Sequence, residues 1–133
     1  MKYLLDTNIC VALIRQKPKE LIKQLTSYKP GDIGLSTITI AELVHGAQKS
    51  IQTEQNMTAL DQFLLPLEIA DFDQSAAVAY GHIRTYLENK GTIIESMDML
   101  IAAHALSLDV ALVTNNTREF KRIPNLKIED WMT

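Results

Sequence analysis

Apolar positions along this chain fall into two rhythms. Five short runs, at residues 2–5, 33–35, 67–70, 110–114 and 126–128, have the length of buried strands. Between them apolar residues recur at three- and four-residue steps. Ile9, Leu13 and Ile14 do so, then Leu21, Ile22 and Leu25, then Ala76, Ala79, Tyr80, Ile83 and Leu87; such spacing predicts helices. Strands alternating with helices predict an α/β fold, with a mostly parallel central sheet of about five strands flanked by helices on both faces. Punctuation agrees with this division. Pro30-Gly31-Asp32 precedes the second strand, Asp71 and Asp73 can cap the helix after the third, and Gly91 closes that helix. The segment 48–64 reads as helical with a polar outer face. No repeat, Pro/Ser linker or low-complexity tract interrupts the pattern, so residues 1–133 read as one domain.

Composition narrows the class further. With 47% hydrophobic and 22% charged residues the chain is neither disordered nor fibrous. Asp6, Arg15, Glu42 and Asp98 interrupt the longest apolar runs, which predicts no membrane span, and Asp6 interrupts any signal-peptide core. The one cysteine, Cys10, excludes an intramolecular disulfide framework, and cytoplasmic residence is expected. Thirteen Lys and Arg against sixteen Asp and Glu give a net charge of −3, which argues against coating a polyanion by bulk positive charge.

Three of the acidic residues sit where water is scarce. Asp6 lies between Tyr3-Leu4-Leu5 and the run from Ile9 to Ile14, Glu42 within Ile38-Thr39-Ile40-Ala41-Glu42-Leu43-Val44, and Asp98 within Met97-Asp98-Met99-Leu100-Ile101. A carboxylate in such surroundings costs several kcal/mol of desolvation, on the order of magnitude general to buried ions, unless something compensates it. On the predicted fold Asp6 ends the first strand, Glu42 follows the second, Asp98 opens an apolar helix running to about Leu108, and the fourth strand delivers Asn115, Asn116 and Glu119. In a parallel sheet these carboxyl ends share one edge, where ligands bind. One site with three or four oxygen donors follows, supported by Thr7, Asn8, Ser36, Thr114 and Asn116. Hard oxygen donors without His or Cys suit Mg²⁺ or Mn²⁺, and such an ion suits phosphodiester hydrolysis.

Each acid also has a local explanation. Asp6 can form an Asx turn, Thr39-Ile40-Ala41-Glu42 has the form of a capping box, and Asp98 can complement a helix dipole behind an N-cap at Ser96. Asn116 and Glu119 can be solvated loop residues. Glu42-Leu43-Val44-His45 has the spacing of a di-iron half-site but lacks the second copy such a site needs. His104 and Cys10 read as core residues. Basic residues gather at Arg15, Lys17, Lys19, Lys23 and Lys29, and again at Arg118, Lys121 and Arg122, the second group beside the acidic edge. Setting Asp6, Glu42, Asp98 and Glu119 aside leaves twelve acids against the thirteen bases, so the deficit of charge has a location.

Four segments in order carry a family resemblance: Leu4-Leu5-Asp6-Thr7-Asn8, the stretch from Ser36 to Leu43, the stretch from Asp98 to Ala105, and the stretch from Val113 to Phe120. With the ending from Ile123 to Trp131, the chain resembles the PIN-domain ribonucleases, and more narrowly the VapC toxins of bacterial toxin–antitoxin pairs. The resemblance implies that Asp6, Glu42 and Asp98 are catalytic, metal-coordinating carboxylates. At the fourth acidic position the chain departs from the commonest pattern: Asn116 stands where the family often has Asp, and a close variant uses the acid before the Phe, here Glu119. It further implies Mg²⁺ or Mn²⁺, an RNA substrate that is tRNA and by extension initiator tRNA, a homodimer, and a toxin–antitoxin hetero-oligomer. In the latter, a small VapB-like antitoxin places its C-terminal segment in the groove near the active site. Arg118, Lys121 and Arg122 are the RNA-binding candidates. Two other readings use a similar fold. A non-catalytic interaction module is compatible with Asn116. A phosphorelay receiver domain needs a phosphoacceptor Asp ending a central strand, and Asp71 lacks a basic partner for that role.

Overall fold

Each of the five apolar runs pairs as a parallel strand. The computed structural model describes residues 1–132. The chain runs β1 (Tyr3–Leu5), α1 (Thr7–Ile14), α2 (Lys19–Thr26), β2 (Ile33–Ser36), α3 (Thr37–Gln48), α4 (Thr53–Leu64), β3 (Glu68–Ala70), α5 (Gln74–Lys90), α6 (Ser96–Leu108), β4 (Ala111–Val113), α7 (Thr117–Phe120) and β5 (Ile128–Glu129). The strand order is β3-β2-β1-β4-β5, and every pairing is parallel. Leu5 stands beside Val113, and the Asp6 amide extends the ladder by donating to the Val113 carbonyl at 3.0 Å. A receiver-type sheet has the order 2-1-3-4-5 with its third strand inside. Here β3 is the edge strand, so Asp71 does not end a central strand.

Alternation along the strands divides the core in two. Leu4 and Leu112 join Ile83, Leu87, Ile101 and Phe120 on one face. Leu5 and Val113 face the other way, toward Ile9, Leu13, Leu21, Leu43, Leu60 and Trp131. The period-two geometry of a strand makes this division, and helices on both faces complete it. Tyr28 stacks on Trp131 with ring centroids 5.3 Å apart, which ties the end of the chain to the second face. No helix among the described residues is long and apolar enough to cross a membrane.

The helix ends confirm some expectations and move others. Asp73 caps α5 by accepting from the Ala76 amide, and Gly91 closes it at φ 66°. The N-cap of α6 is Glu95 rather than Ser96, because the Glu95 carboxylate reaches the Asp98 amide. The capping box at Thr39 does not form. Helix α3 begins three residues earlier, where the Ser36 hydroxyl accepts from the Ile38 amide, and Thr39 is buried inside it. The helical stretch 48–64 is interrupted: α3 ends at Gln48 and α4 begins at Thr53. The last strand starts at Ile128, two residues later than its apolar run.

Gly34 of β2 pairs with Glu68 of β3. It is buried, and a Cβ there would stand 2.6 Å from the Glu68 carbonyl oxygen of β3, a backbone atom that cannot swing aside. Gly34→Ala is expected to destabilise the fold by about 1–3 kcal/mol, as overpacking does. Gly81→Ala, on the exposed side of α5 with open space around it, should stabilise it by about 0.4–1 kcal/mol through the unfolded chain. Urea melts of the two variants test this, and an unchanged midpoint for Gly34→Ala would overturn the packing argument.

Candidate active site

The strand order places the carboxyl ends of β2, β1 and β4 side by side, and the predicted acids gather there. Asp6 follows β1 and is only 4% exposed. It caps α1, its carboxylate accepting from the Ile9 amide at 2.9 Å. The Asx-like role and the site role are thus one arrangement. Burial pushes the Asp6 carboxyl above its ordinary range. Hydrogen bonds from Thr114 and Ile9 pull it back in part, and the charge of Glu42 pushes it up again.

Glu42 lies in the second turn of α3 and is half-buried. The Thr7 hydroxyl, from the first turn of α1, donates to its Oε1 at 2.5 Å. Asp98 lies in the first turn of α6. Its carboxyl is raised from 3.8 to about 6, first by burial, then by the negative charges of Glu95, Asp6, Glu42 and Glu119. Asp6, Glu42 and Glu119 therefore all lie within electrostatic reach of Asp98, and none of the influences on Asp98 comes from a cation. Glu119 sits on α7, where the Asn116 amide donates to its Oε2 at 3.3 Å. The two sequence alternatives for the fourth acidic position form one hydrogen-bonded pair.

The polar supports divide. Thr114 is buried, accepts from the Asn116 amide at 2.9 Å and supports Asp6. Thr7 holds Glu42. Asn8 is exposed on α1 and joins none of the carboxylates by a hydrogen bond among the described residues. Ser36 is fully buried and faces His104 of α6, with its Oγ 2.7 Å from His104 Nδ1. Arg118 and Lys121 are exposed, whereas the Arg122 guanidinium donates to the Ile93 carbonyl at 3.3 Å.

Two features escaped the reading of the sequence. Glu95, between Ile93-Ile94 and Ser96-Met97, acts on Asp98 more strongly than any other charge and is the N-cap of α6. A cleft of about 360 Å³ opens beside Thr7 and Glu42, between α1, α3 and α4. Its walls are apolar at Val11, Ile14, Leu43 and Leu60, and Arg15 and Lys49 line it. Only the approach of three helices brings those two cations together.

The donor set fits a hard divalent cation: oxygen ligands only, crowded like charges, and no ammonium or guanidinium among them. As the side chains stand, no group of three or more His, Cys, Asp or Glu among the described residues is drawn in closely enough to hold an ion. Inward rotation of Glu42 and Glu119, each held by one side-chain hydrogen bond, is the movement available to such a group.

The model of the PIN domain family matches residues 3–126. Among curated relatives, the chain is 49% identical over 132 residues to "Ribonuclease VapC2" of Rickettsia felis, covering 98% of each. It is 43% identical over 131 residues to "tRNA(fMet)-specific endonuclease VapC" of Salmonella typhimurium, again covering 98% of each. Among solved structures, it superposes on the crystal structure of VapBC2 from Rickettsia felis bound to a DNA fragment from their promoter with a TM-score of 0.93. That match has 48% identity and covers 98% of this chain and 99% of the other.

The raised Asp98 carboxyl has a consequence for stability without metal. The folded state holds this proton up to about pH 6, while the unfolded chain releases it near 3.8. Between those values the folded state binds more protons, so this group's contribution to stability falls as pH rises and stays unfavourable above pH 6. Discounted for solvent screening at a half-exposed group, the penalty is on the order of 1 kcal/mol. In EDTA at pH 7.5, Asp98→Asn should melt about 3–5 °C above wild type, with the difference vanishing near pH 3.5. A variant that melts lower at pH 7.5 would refute the like-charge account.

Proposed function

This chain belongs to the PIN-domain family and, within it, to the VapC ribonucleases, and on that premise we propose that it is the toxin of a toxin–antitoxin pair. In this reading it is an endoribonuclease of the cytoplasm that hydrolyses phosphodiester bonds in tRNA, initiator tRNA foremost, and so arrests translation. The observation that carries the reading is the cluster of Asp6, Glu42, Asp98 and Glu119 at the carboxyl edge of the sheet, charged alike and without a cation of its own.

These four carboxylates are the residues that would hold Mg²⁺ or Mn²⁺, which when bound supplies charge neutralisation and Lewis acidity at a phosphate. The chain's own groups do the rest. Thr7 tethers Glu42 and Asn116 tethers Glu119, each by a single hydrogen bond that an inward turn toward the ion would exchange. The Ile9 amide and Thr114 keep the buried Asp6 ionisable. A carboxylate oxygen of the cluster left free of the ion would accept the proton released by the attacking water. The scissile phosphate backbone lies against Arg118 and Lys121 on one side and Arg15 and Lys49 on the other, four cations that form no ion pair among the described residues.

An antitoxin partner is proposed from the VapBC assemblies named for the neighbouring structures. Its C-terminal segment would occupy the cleft beside Glu42, whose apolar walls suit a peptide and whose position next to the acids lets an occupant exclude RNA. A homodimer is part of the same proposal.

Purified protein given tRNA with Mg²⁺ or Mn²⁺ should cut at discrete positions, read by 3′-end mapping, and EDTA should abolish cutting. Asp98→Asn is expected to fold normally and lose at least 100-fold in rate. Wild-type rates from that variant, or cleavage unaffected by EDTA, would sink the assignment.

A further inference from the structure

Two helices carry half of the acidic cluster. Helix α3 carries Glu42 and helix α6 carries Asp98, and their clearest polar bond is between Ser36 and His104. His104 is fully buried in an otherwise apolar stretch of α6. Ser36 Oγ already accepts from the Ile38 amide, as the N-cap of α3. Its single hydroxyl proton is thus free to be given to His104 Nδ1, 2.7 Å away. That arrangement requires Nδ1 to be unprotonated and Nε2 to carry the hydrogen. Burial holds the imidazole below its ordinary proton affinity, against the opposing pull of the Asp73 charge and of the Asp71 carbonyl and charge, and Nε2 closes no hydrogen bond. The opposite tautomer leaves the Ser36 proton without an acceptor and the Nε2 lone pair buried.

The β3–α5 connection closes over the same ring. Phe72 meets His104 edge-on at 5.4 Å, and its backbone amide donates to Thr37 Oγ1, the first residue of α3, at 3.1 Å. Three elements therefore grip the start of α3 at the imidazole. Glu42 is six residues beyond Ser36, and Asp98 is six residues before His104. At 1.5 Å of rise per residue each acid stands about 9 Å along its helix from the clasp. A tilt of about 10° at the clasp moves either one by roughly 1.5 Å, and a misplacement of about 1 Å can cost two orders of magnitude in rate.

We infer that His104 is a positioning residue for this site: as the neutral Nε2–H tautomer it takes the Ser36 hydroxyl bond and so sets helix α3, with Glu42, against helix α6, with Asp98. The inference rests on the nuclease reading of the acidic cluster, and its tests separate the two.

Long-range ¹H–¹⁵N correlation of the wild-type protein in EDTA at pH 7.5 should show His104 neutral and protonated on Nε2. An Nδ1–H tautomer or an imidazolium would overturn the proposal without any cleavage assay. In cleavage, His104→Asn places an amide where Nδ1 stands and should stay within about 3-fold of wild-type kcat. His104→Leu, similar in bulk but unable to accept, should lose at least 10-fold. Affinity for uncleaved RNA, measured in the Asp98→Asn background, should change less than 2-fold in both. Ser36→Ala should match His104→Leu in kcat, and the double variant should be no worse than either. Full activity in a folded His104→Leu, or losses that multiply in the double variant, would overturn the proposal. If His104→Leu does not fold, Ser36→Ala against His104→Asn decides it by the same criterion. If neither the wild type nor any variant cuts RNA and the tautomer is as expected, the nuclease reading fails. Mn²⁺ affinity by electron paramagnetic resonance then decides the positioning role, with at least 5-fold weakening for Ser36→Ala expected and equal affinity overturning it.

Discussion

Crowding of like charge at one edge of a parallel sheet is the constraint on which the rest of this molecule depends. Asp6, Glu42, Glu119 and Glu95 all act on Asp98, Glu42 acts on Asp6 as well, and no cation enters among the influences on Asp98. Left to themselves, partly buried carboxylates would separate or take up protons. Here they are held from both sides by groups that favour negative charge. The first turns of α1 and α6 direct unpaired backbone amides toward Asp6 and Glu95. Thr7 and Asn116 donate to Glu42 and Glu119. The arrangement stores an electrostatic demand that a hard divalent ion satisfies well.

An apolar body large enough to bear that demand lies beneath it. Short strands of two to four residues build the sheet, so little backbone pairing separates the site from the core. Strand β1 is central, with Leu4 and Leu5 buried on opposite faces, and its next residue is Asp6. Ordering the strand and aiming the carboxylate are thus one event. The same economy appears at β2, where Ser36 ends the strand, caps the following helix and bonds His104. Ser36 and Thr114 at this edge serve two partners each, which leaves little freedom for the helices that carry the acids.

Much of this was legible before any tertiary structure. Asp6, Glu42 and Asp98 stood out because apolar residues surround them in sequence, and a charge amid such residues needs a reason. Lys49 carried no such signal, since it lies between Gln48 and Ser50 and matters only through what comes close in space. The capping of α3 was misplaced for a related reason. Thr39 and Glu42 have the spacing of a capping box, but Ser36 at the strand end reaches the free amide of Ile38 first, and a helix begins where its earliest satisfied amide lies. Arg122 likewise read as a free cation beside Arg118 until the fold turned it onto the Ile93 carbonyl.

The sequence by itself determined the alternation of strands and helices, the two faces of the central strand and the identity of three acids that fold out of full contact with water, because periodicity and desolvation act over a few neighbouring residues. The order of the strands, the pairing of Asn116 with Glu119, the cleft that joins Arg15 and Lys49, and the clasp of Ser36 on His104 were decided by the tertiary structure alone. Those contacts span from three to sixty-eight residues of chain. Which groups meet across such distances depends on how the helices pack over the sheet, a choice made by the whole core at once and written in no single segment.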